Sequence, residues 1–186
     1  MPLLTRIQMP YMPNLSPSCS LSRIFADPKP YVLETVNTLP DMALKIGSTT
    51  GYTDSMMNIV VSKATELGYT PDCWFSPDAV NGKCRPYPYM IFENLKALQV
   101  TDVKHVLKVG DTVSDIKEGV NAGVWSVGVI EDSSELGLSQ EEFESLPPAE
   151  QDTICQKAET IFRTAGAHFV IRNFSALPQL ICAFGI

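Results

Sequence analysis

Short apolar runs alternate with amphipathic segments from Tyr31 to the end of the chain. The apolar runs predict strands at 43–48, 73–75, 105–109, 124–130 and 168–171. Between them, apolar residues recur at helical spacing, for example at Met57, Val60, Val61 and Ala64. Strands that alternate with helices predict an α/β fold. In such a fold, a Rossmann-like parallel sheet is covered by helices on both faces and joined by right-handed crossovers.

Capping and helix-breaking residues set the helix boundaries between these strands. Pro40 ends a first helix that begins at Val32, and Pro86 and Pro88 stand at the entrance of a later one. Gly123 ends a helix at 114–121, and Ser175 is predicted to cap the last helix. The boundaries place several polar segments just after strands.

The first thirty residues differ in composition from the rest of the chain. Half of the 14 prolines lie within the first 40 positions. No acidic residue precedes Asp27 and no glycine precedes Gly47. We therefore predict an irregular Pro- and Ser-rich leader at 1–30 and a partial core domain at 31–186.

The overall composition is that of a folded domain with an acidic balance. The chain has 186 residues, of which 45% are hydrophobic and 19% charged, with a net charge of −7. This balance disfavours a nucleic-acid partner, and the apolar runs are too short to cross a membrane. Five scattered cysteines without Cys-x-x-Cys spacing predict reduced thiols and a cytoplasmic location.

Two segments can bind a phosphoryl group. After the strand at 43–48, the sequence Gly-Ser-Thr-Thr-Gly-Tyr places Thr50 and backbone N–H groups ahead of a helix, where an anion can bind. Arg85 stands just before Pro-Tyr-Pro, and a guanidinium can bind phosphate with two hydrogen bonds. Taken alone, each segment is better explained structurally, the first as a capping turn and the second as a solvated arginine.

Two carboxylates follow the strand at 105–109, in the sequence Val-Gly-Asp-Thr-Val-Ser-Asp. Asp111 ends the strand and Asp115 lies in the first turn of the next helix, so both can face one small volume at the sheet edge. Carboxylate oxygens are the ligands that hard cations prefer. A helix cap and a favourable helix-dipole contact are the alternative. Because two neighbouring acids repel each other, we predict that Asp111 and Asp115 bind a metal ion.

The order of these segments resembles the second, third and fourth motifs of the haloacid dehalogenase superfamily of phosphotransferases. Four stretches look more specifically like the phosphonoacetaldehyde hydrolase family, or phosphonatases. They are Lys-Ile-Gly-Ser-Thr-Thr-Gly-Tyr at 45–52, Arg-Pro-Tyr-Pro at 85–88, Lys-Val-Gly-Asp-Thr-Val-Ser-Asp at 108–115 and Ser-Ser-Glu-Leu-Gly-Leu at 133–138. Most members of the superfamily carry lysine as the third motif, so Arg85 points to the phosphonatase branch. The resemblance runs from about Val32 to the C-terminus.

The resemblance implies Mg²⁺-dependent hydrolysis of the C–P bond of phosphonoacetaldehyde, a small-molecule phosphonate, to acetaldehyde and phosphate. In the family, an aspartate after the first strand attacks phosphorus, while a lysine of a cap domain forms a Schiff base with the aldehyde. By position, Thr50 and Arg85 would act in catalysis and substrate binding, and Tyr52 would join them in substrate binding. Asp111 and Asp115 would hold Mg²⁺, Asp115 either directly or through water.

The first motif of the family, Asp-x-x-Gly-Thr-Thr, has no counterpart because no glycine precedes Gly47. Asp27 as nucleophile and Lys29 as Schiff-base lysine are minor alternatives. Unless residues 21–26 replace the first strand, the two inner strands beside it would have open edges. We therefore expect a truncated, catalytically incomplete chain. The family forms homodimers through the cap, so a chain without a cap is expected to be monomeric or to aggregate. A phosphomonoesterase of the same superfamily and a non-catalytic truncated isoform remain as alternatives.

Overall fold

A parallel sheet forms the centre of the molecule. The computed structural model of the chain describes residues 3–5 and 28–185. Within them the strands are β1 Leu3–Thr5, β2 Lys45–Thr49, β3 Cys73–Phe75, β4 Val106–Gly110, β5 Trp125–Val129 and β6 Phe169–Ile171. They form one sheet in the order β3-β2-β1-β4-β5-β6, and neighbouring strands run parallel. The predicted α/β, Rossmann-like core is confirmed.

Helices connect the strands, and the ends of these helices lie close to the predicted boundaries. They are α1 Val32–Thr38, α2 Asp54–Glu66, α3 Tyr89–Ala97, α4 Val113–Ala122, α5 Gln140–Glu144, α6 Pro148–Thr164 and α7 Leu177–Phe184. None of the helices in the described residues has the length and apolar content needed to cross a membrane.

The predicted cap of the last helix is wrong. A 3₁₀ turn, Phe174–Ala176, comes directly before α7. Asn173 caps this turn, and α7 itself has no side-chain cap. The side chain of Asn173 accepts the N–H of Ser175, so Ser175 is itself capped. The extra turn moves the capping position two residues towards the N-terminus.

Buried side chains cover both faces of β4. Leu107 and Val109 belong to the main hydrophobic cluster with residues of α1, α2 and α7, whereas Val106 packs in a second cluster with α3. Successive residues of a strand face opposite sides of the sheet, so Lys108 lies on the face of Val106. This lysine is completely buried.

The middle of the sheet differs from what the sequence predicts. Leu3 of β1 pairs with Lys45 of β2 on one side and with Val106 of β4 on the other, so β1 fills the expected gap. A run of three residues is too short for periodicity to reveal, and its conformation is decided by pairing with distant strands. Residues 21–26 and Asp27 lie outside the described residues. The division into a leader at 1–30 and a core at 31–186 remains a prediction.

Candidate functional site

The turn after β2 and the segment before α3 meet at the carboxyl edge of the sheet. A side-chain carbon added to Gly51 would lie 3.0 Å from Nη2 of Arg85, so the guanidinium lies against this turn. Nη1 of Arg85 donates to Oδ1 of Asp115 at 2.6 Å. Asp115 is completely buried in the first turn of α4. Three segments singled out from the sequence, those of Thr50, Arg85 and Asp115, are therefore neighbours.

Thr50 and Tyr52 form a small hydrogen-bonded turn at the same edge. The N–H of Thr50 donates to the carbonyl of Phe75 at 3.3 Å, which fixes the turn to β3. The hydroxyl oxygen of Thr50 accepts the N–H of Tyr52 at 3.1 Å. Tyr52 is partly buried and packs against the main hydrophobic cluster. Its role in substrate binding remains a prediction.

Both carboxylate oxygens of Asp115 are bound by protein groups. Oδ1 takes Arg85 and also lies 3.3 Å from Nζ of Lys108. Oδ2 accepts the hydroxyl of Thr112 at 2.5 Å, and the same hydroxyl caps α4 by accepting the N–H of Asp115. The carboxylate therefore joins the guanidinium of Arg85 to the N-terminus of α4 and to β4.

Lys108 forms a second buried contact that the sequence did not reveal. Its Nζ lies 2.7 Å from Oε2 of Glu118 and 2.6 Å from the hydroxyl oxygen of Thr49. That hydroxyl in turn donates to Glu118 at 3.0 Å. All three side chains are buried, and buried charges are tolerated only where they are paired. The sequence offered one signal for this contact. Because side chains alternate between the two faces of a strand, Lys108 falls on a face that is covered.

Asp111 contacts a different basic side chain from those that contact Asp115. Nζ of Lys29 lies 3.2 Å from Oδ2 of Asp111 and 3.5 Å from Oδ2 of Asp132, and it also contacts the backbone carbonyl of Asp132. Burial raises the pKa of Asp132 above its ordinary value, and Lys29 acts in the opposite direction. From the sequence, Asp111 and Asp115 are expected to face one metal ion together. In the contacts described, Asp111 pairs with Lys29, whereas Asp115 pairs with Arg85 and Lys108.

The carboxylate and carbonyl oxygens at this edge determine which residues are suitable ligands for a metal ion. No group of three or more His, Cys, Asp or Glu side chains within residues 28–185 is arranged to hold one. However, oxygens of Asp111 and Asp132 already converge on one positive charge, the ammonium of Lys29. Oxygen donors of this kind suit a hard cation such as Mg²⁺. Asp111 therefore fits the predicted role better than Asp115 does.

The fold and the carboxyl-edge site define the class of protein. Residues 18–123 match the model of the haloacid dehalogenase-like hydrolases, and the chain belongs to that family.

Comparison with individual relatives gives a more specific similarity within this family. The chain is 51% identical over 157 residues to a phosphonoacetaldehyde hydrolase of Lysinibacillus sphaericus, covering 84% of this chain and 58% of that protein. It is 46% identical over 157 residues to one of Parabacteroides distasonis, covering 84% and 59%. A crystal structure of a phosphonoacetaldehyde hydrolase like protein from Oleispira antarctica matches with a TM-score of 0.82 at 34% identity, covering 88% of this chain and 59% of that chain.

These matches confirm the resemblance drawn from the motifs. The chain spans about three fifths of the length of these relatives, with coverages of 58% and 59%.

Proposed function

We propose that this chain carries the phosphoryl-binding core of a phosphonoacetaldehyde hydrolase, which cleaves the C–P bond of phosphonoacetaldehyde to acetaldehyde and phosphate. The observation that carries the proposal is the position of Arg85, which lies against the turn at Gly51 while buried Asp115 holds it at 2.6 Å. The relatives named phosphonoacetaldehyde hydrolase support the substrate class.

Arg85 and Thr50 bind the phosphoryl group. The side chain of Arg85 is 16% exposed, and a guanidinium has five N–H donors, more than its contact with Asp115 uses. The remaining donors offset the negative charge of phosphoryl oxygens. The hydroxyl oxygen of Thr50 accepts the N–H of Tyr52, and this contact does not use the hydroxyl proton, which Thr50 can donate to a phosphoryl oxygen. Tyr52 lines the same turn.

Mg²⁺ supplies further positive charge when bound, which offsets the charge of phosphoryl oxygens. Asp111 is its proposed ligand in this chain, through oxygens already suited to a cation. Asp115 would hold the ion through water, because its own oxygens bind Arg85, Lys108 and Thr112.

The 186-residue chain is proposed to be catalytically incomplete. The central strand β1 is followed by Arg6, not by an aspartate, and no glycine precedes Gly47. The family mechanism needs an aspartate that accepts the phosphoryl group and a lysine that forms the Schiff base. Loss of a covalent nucleophile costs several powers of ten in rate. This chain is therefore expected to bind a phosphoryl group without releasing acetaldehyde at an enzyme's rate.

The binding half of the proposal is tested by calorimetric titration of the full chain with inorganic phosphate in the presence of Mg²⁺. We expect Arg85→Met to weaken phosphate binding about tenfold or more, equivalent to about 1.4 kcal/mol. The matched control is Arg163→Met, because Arg163 is exposed and its described contacts, with Glu159 and with the carbonyl of His168, involve none of the residues proposed to bind phosphate. Equal phosphate binding by both variants and the wild type would refute the role of Arg85.

The catalytic half is tested by assaying acetaldehyde release from phosphonoacetaldehyde with the same protein. We expect no release above the protein-free blank. Release at an enzyme's rate, abolished by Asp27→Ala or Lys29→Ala, would show that the leader supplies the missing groups.

A further inference from the structure

Lys108 links the carboxylate that holds Arg85 to a second buried carboxylate of α4. Its Nζ lies 3.3 Å from Oδ1 of Asp115, the oxygen that accepts Arg85 at 2.6 Å. On its other side, Nζ lies 2.7 Å from Oε2 of Glu118. The lysine and both carboxylates are fully buried, whereas the side chain of Arg85 is 16% exposed. The four charges thus alternate in sign from the interior of the protein to the proposed phosphoryl site.

Stability of the core does not require this arrangement of charges. Transfer of charges out of water carries a large desolvation cost, and uncharged side chains of similar size often replace a buried ion pair without loss of stability. Compensation is also incomplete, because Oε1 of Glu118 has no hydrogen-bond partner within residues 3–5 and 28–185. Nζ of Lys108 and the hydroxyl of Thr49 both contact the other oxygen, Oε2. What the arrangement does provide is a fixed position for the ammonium beside Asp115.

We infer that Lys108 is a positioning residue for phosphoryl binding, which acts through Asp115 on Arg85. The inference rests on the proposed function of Arg85 and adds the residue that controls how this arginine is presented. Lys108 is itself too deeply buried to contact a bound phosphoryl group.

The ammonium limits how strongly Asp115 engages the guanidinium. Oδ2 of Asp115 accepts the hydroxyl of Thr112 at 2.5 Å, so contacts on both oxygens fix the plane of the carboxylate. Because removal of a neighbouring positive charge increases the attraction between a carboxylate and its other cations, loss of Lys108 draws more donors of Arg85 to Asp115. Fewer of the five N–H donors then remain for phosphoryl oxygens, so phosphate binds more weakly.

The inference is tested by calorimetric titration of the full chain with inorganic phosphate in the presence of Mg²⁺. The paired variant Lys108→Met/Glu118→Gln removes both buried charges together, keeps the net charge and retains an oxygen that can accept the hydroxyl of Thr49. We expect it to unfold cooperatively in urea and to bind phosphate about fivefold more weakly than the wild type. The matched control, Lys96→Met/Glu93→Gln, removes an exposed pair of the same kind and should bind phosphate as the wild type does.

The same paired change in an Arg85→Met background separates an action through Arg85 from any other. Once the guanidinium is gone, the paired change should weaken phosphate binding by less than about twofold. A merely structural role of Lys108 predicts the same loss in both backgrounds. That result, or unchanged phosphate binding by the folded paired variant, would overturn the inference and leave the role of Arg85 in place. No effect of Arg85→Met alone would overturn the proposed function and the inference with it.

Thr49→Val provides a second variant should the paired change abolish cooperative unfolding. It removes the hydroxyl that contacts Nζ of Lys108 at 2.6 Å and Oε2 of Glu118 at 3.0 Å, and it keeps a branched strand residue of the same size. We expect Thr49→Val to weaken phosphate binding about two- to threefold, and to have no effect in the Arg85→Met background. Unchanged binding, or the same loss in both backgrounds, would again overturn the inference.

Discussion

Tyr69 is a buried residue whose hydroxyl group is not compensated by a hydrogen bond within the described part of the chain. Its side chain is 1% exposed and lies in the main hydrophobic cluster, just after α2. The hydroxyl has no hydrogen-bond partner among the described residues. Burial, with a smaller effect of Asp72, raises the pKa of Tyr69 well above its ordinary value. A buried hydroxyl without a partner costs about 1–3 kcal/mol, so it opposes folding.

Tyr69→Phe is therefore expected to raise the free energy of unfolding at pH 7 by up to about 1 kcal/mol. The raised pKa also predicts a pH dependence. Below about pH 10, the tyrosine is neutral in both the folded and unfolded chain. Above it, only the unfolded chain loses the proton, so the wild type loses stability as pH rises. Tyr69→Phe should lose less stability over the same rise in pH.

Urea unfolding at pH 7 and at about pH 10.5 measures both effects. Tyr87→Phe is the control, since Tyr87 is 57% exposed. If Tyr69→Phe and the wild type lose stability in parallel as pH rises, the hydroxyl of Tyr69 is not protected in the folded state.

Single residues differ in how far the sequence reveals their contacts. Thr50, Arg85 and Asp115 could be placed at one edge because each lies at a strand end or helix start, and strand ends of a parallel sheet converge. The contact of Lys29 with Asp111 joins residues 82 positions apart, and no local pattern predicts it. The pairing of Lys108 with Glu118 likewise depends on the packing of α4 on the sheet.

At the scale of elements, Gly119 allows α4 to approach the sheet closely. A side-chain carbon added there would lie 2.7 Å from Oγ of Ser126 on β5 and 2.9 Å from Cβ of Lys108 on β4. The same helix carries Asp115 and Glu118, which pair with Lys108. The close approach at Gly119 is thus what brings these carboxylates within reach of the lysine.

Gly119→Ala is expected to destabilise the protein by about 1–3 kcal/mol, because the added carbon overpacks the helix–sheet contact. In an exposed helix, the same change would stabilise by up to about 1 kcal/mol, so the sign is diagnostic. Lys117→Ala, on the exposed face of α4, should change stability by no more than about 0.5 kcal/mol. Urea unfolding of the three proteins provides the measurement, and a stabilised Gly119→Ala would contradict the close packing.

The longer elements were predictable because buried parallel strands appear as apolar runs, and helices between them keep a 3.6-residue period. The strands 73–75 and 106–110 lie close to where the pattern put them. β1 was not predictable. Three residues give no period, and the strands on either side stabilise an extended conformation there.

The whole molecule depends on that central strand. The backbone of Leu4 is paired with Ile46 on one side and with Leu107 on the other. Proline lacks the N–H that a central strand must donate, and it is confined to edges and bulges. Leu4→Pro is therefore expected to lower the free energy of unfolding by about 2–4 kcal/mol or to abolish cooperative unfolding.

Leu4→Val keeps the N–H and should retain a cooperative transition, which makes it the control. Circular dichroism during urea unfolding distinguishes the two variants. An unchanged midpoint for Leu4→Pro would show that the sheet does not need β1.

The position of β1 also has a consequence for the order in which the molecule assembles. Leu3 meets Lys45 after a moderate stretch of chain, but it meets Val106 only after a much longer one. Closing the longer loop costs more chain entropy, and contacts between distant residues slow folding. During synthesis β2 and β3 can pair well before β4 exists, so one side of the growing sheet stays uncovered in the meantime. Uncovered strand edges pair readily with other chains. The yield of folded protein should therefore depend on how fast the ribosome reaches Val106.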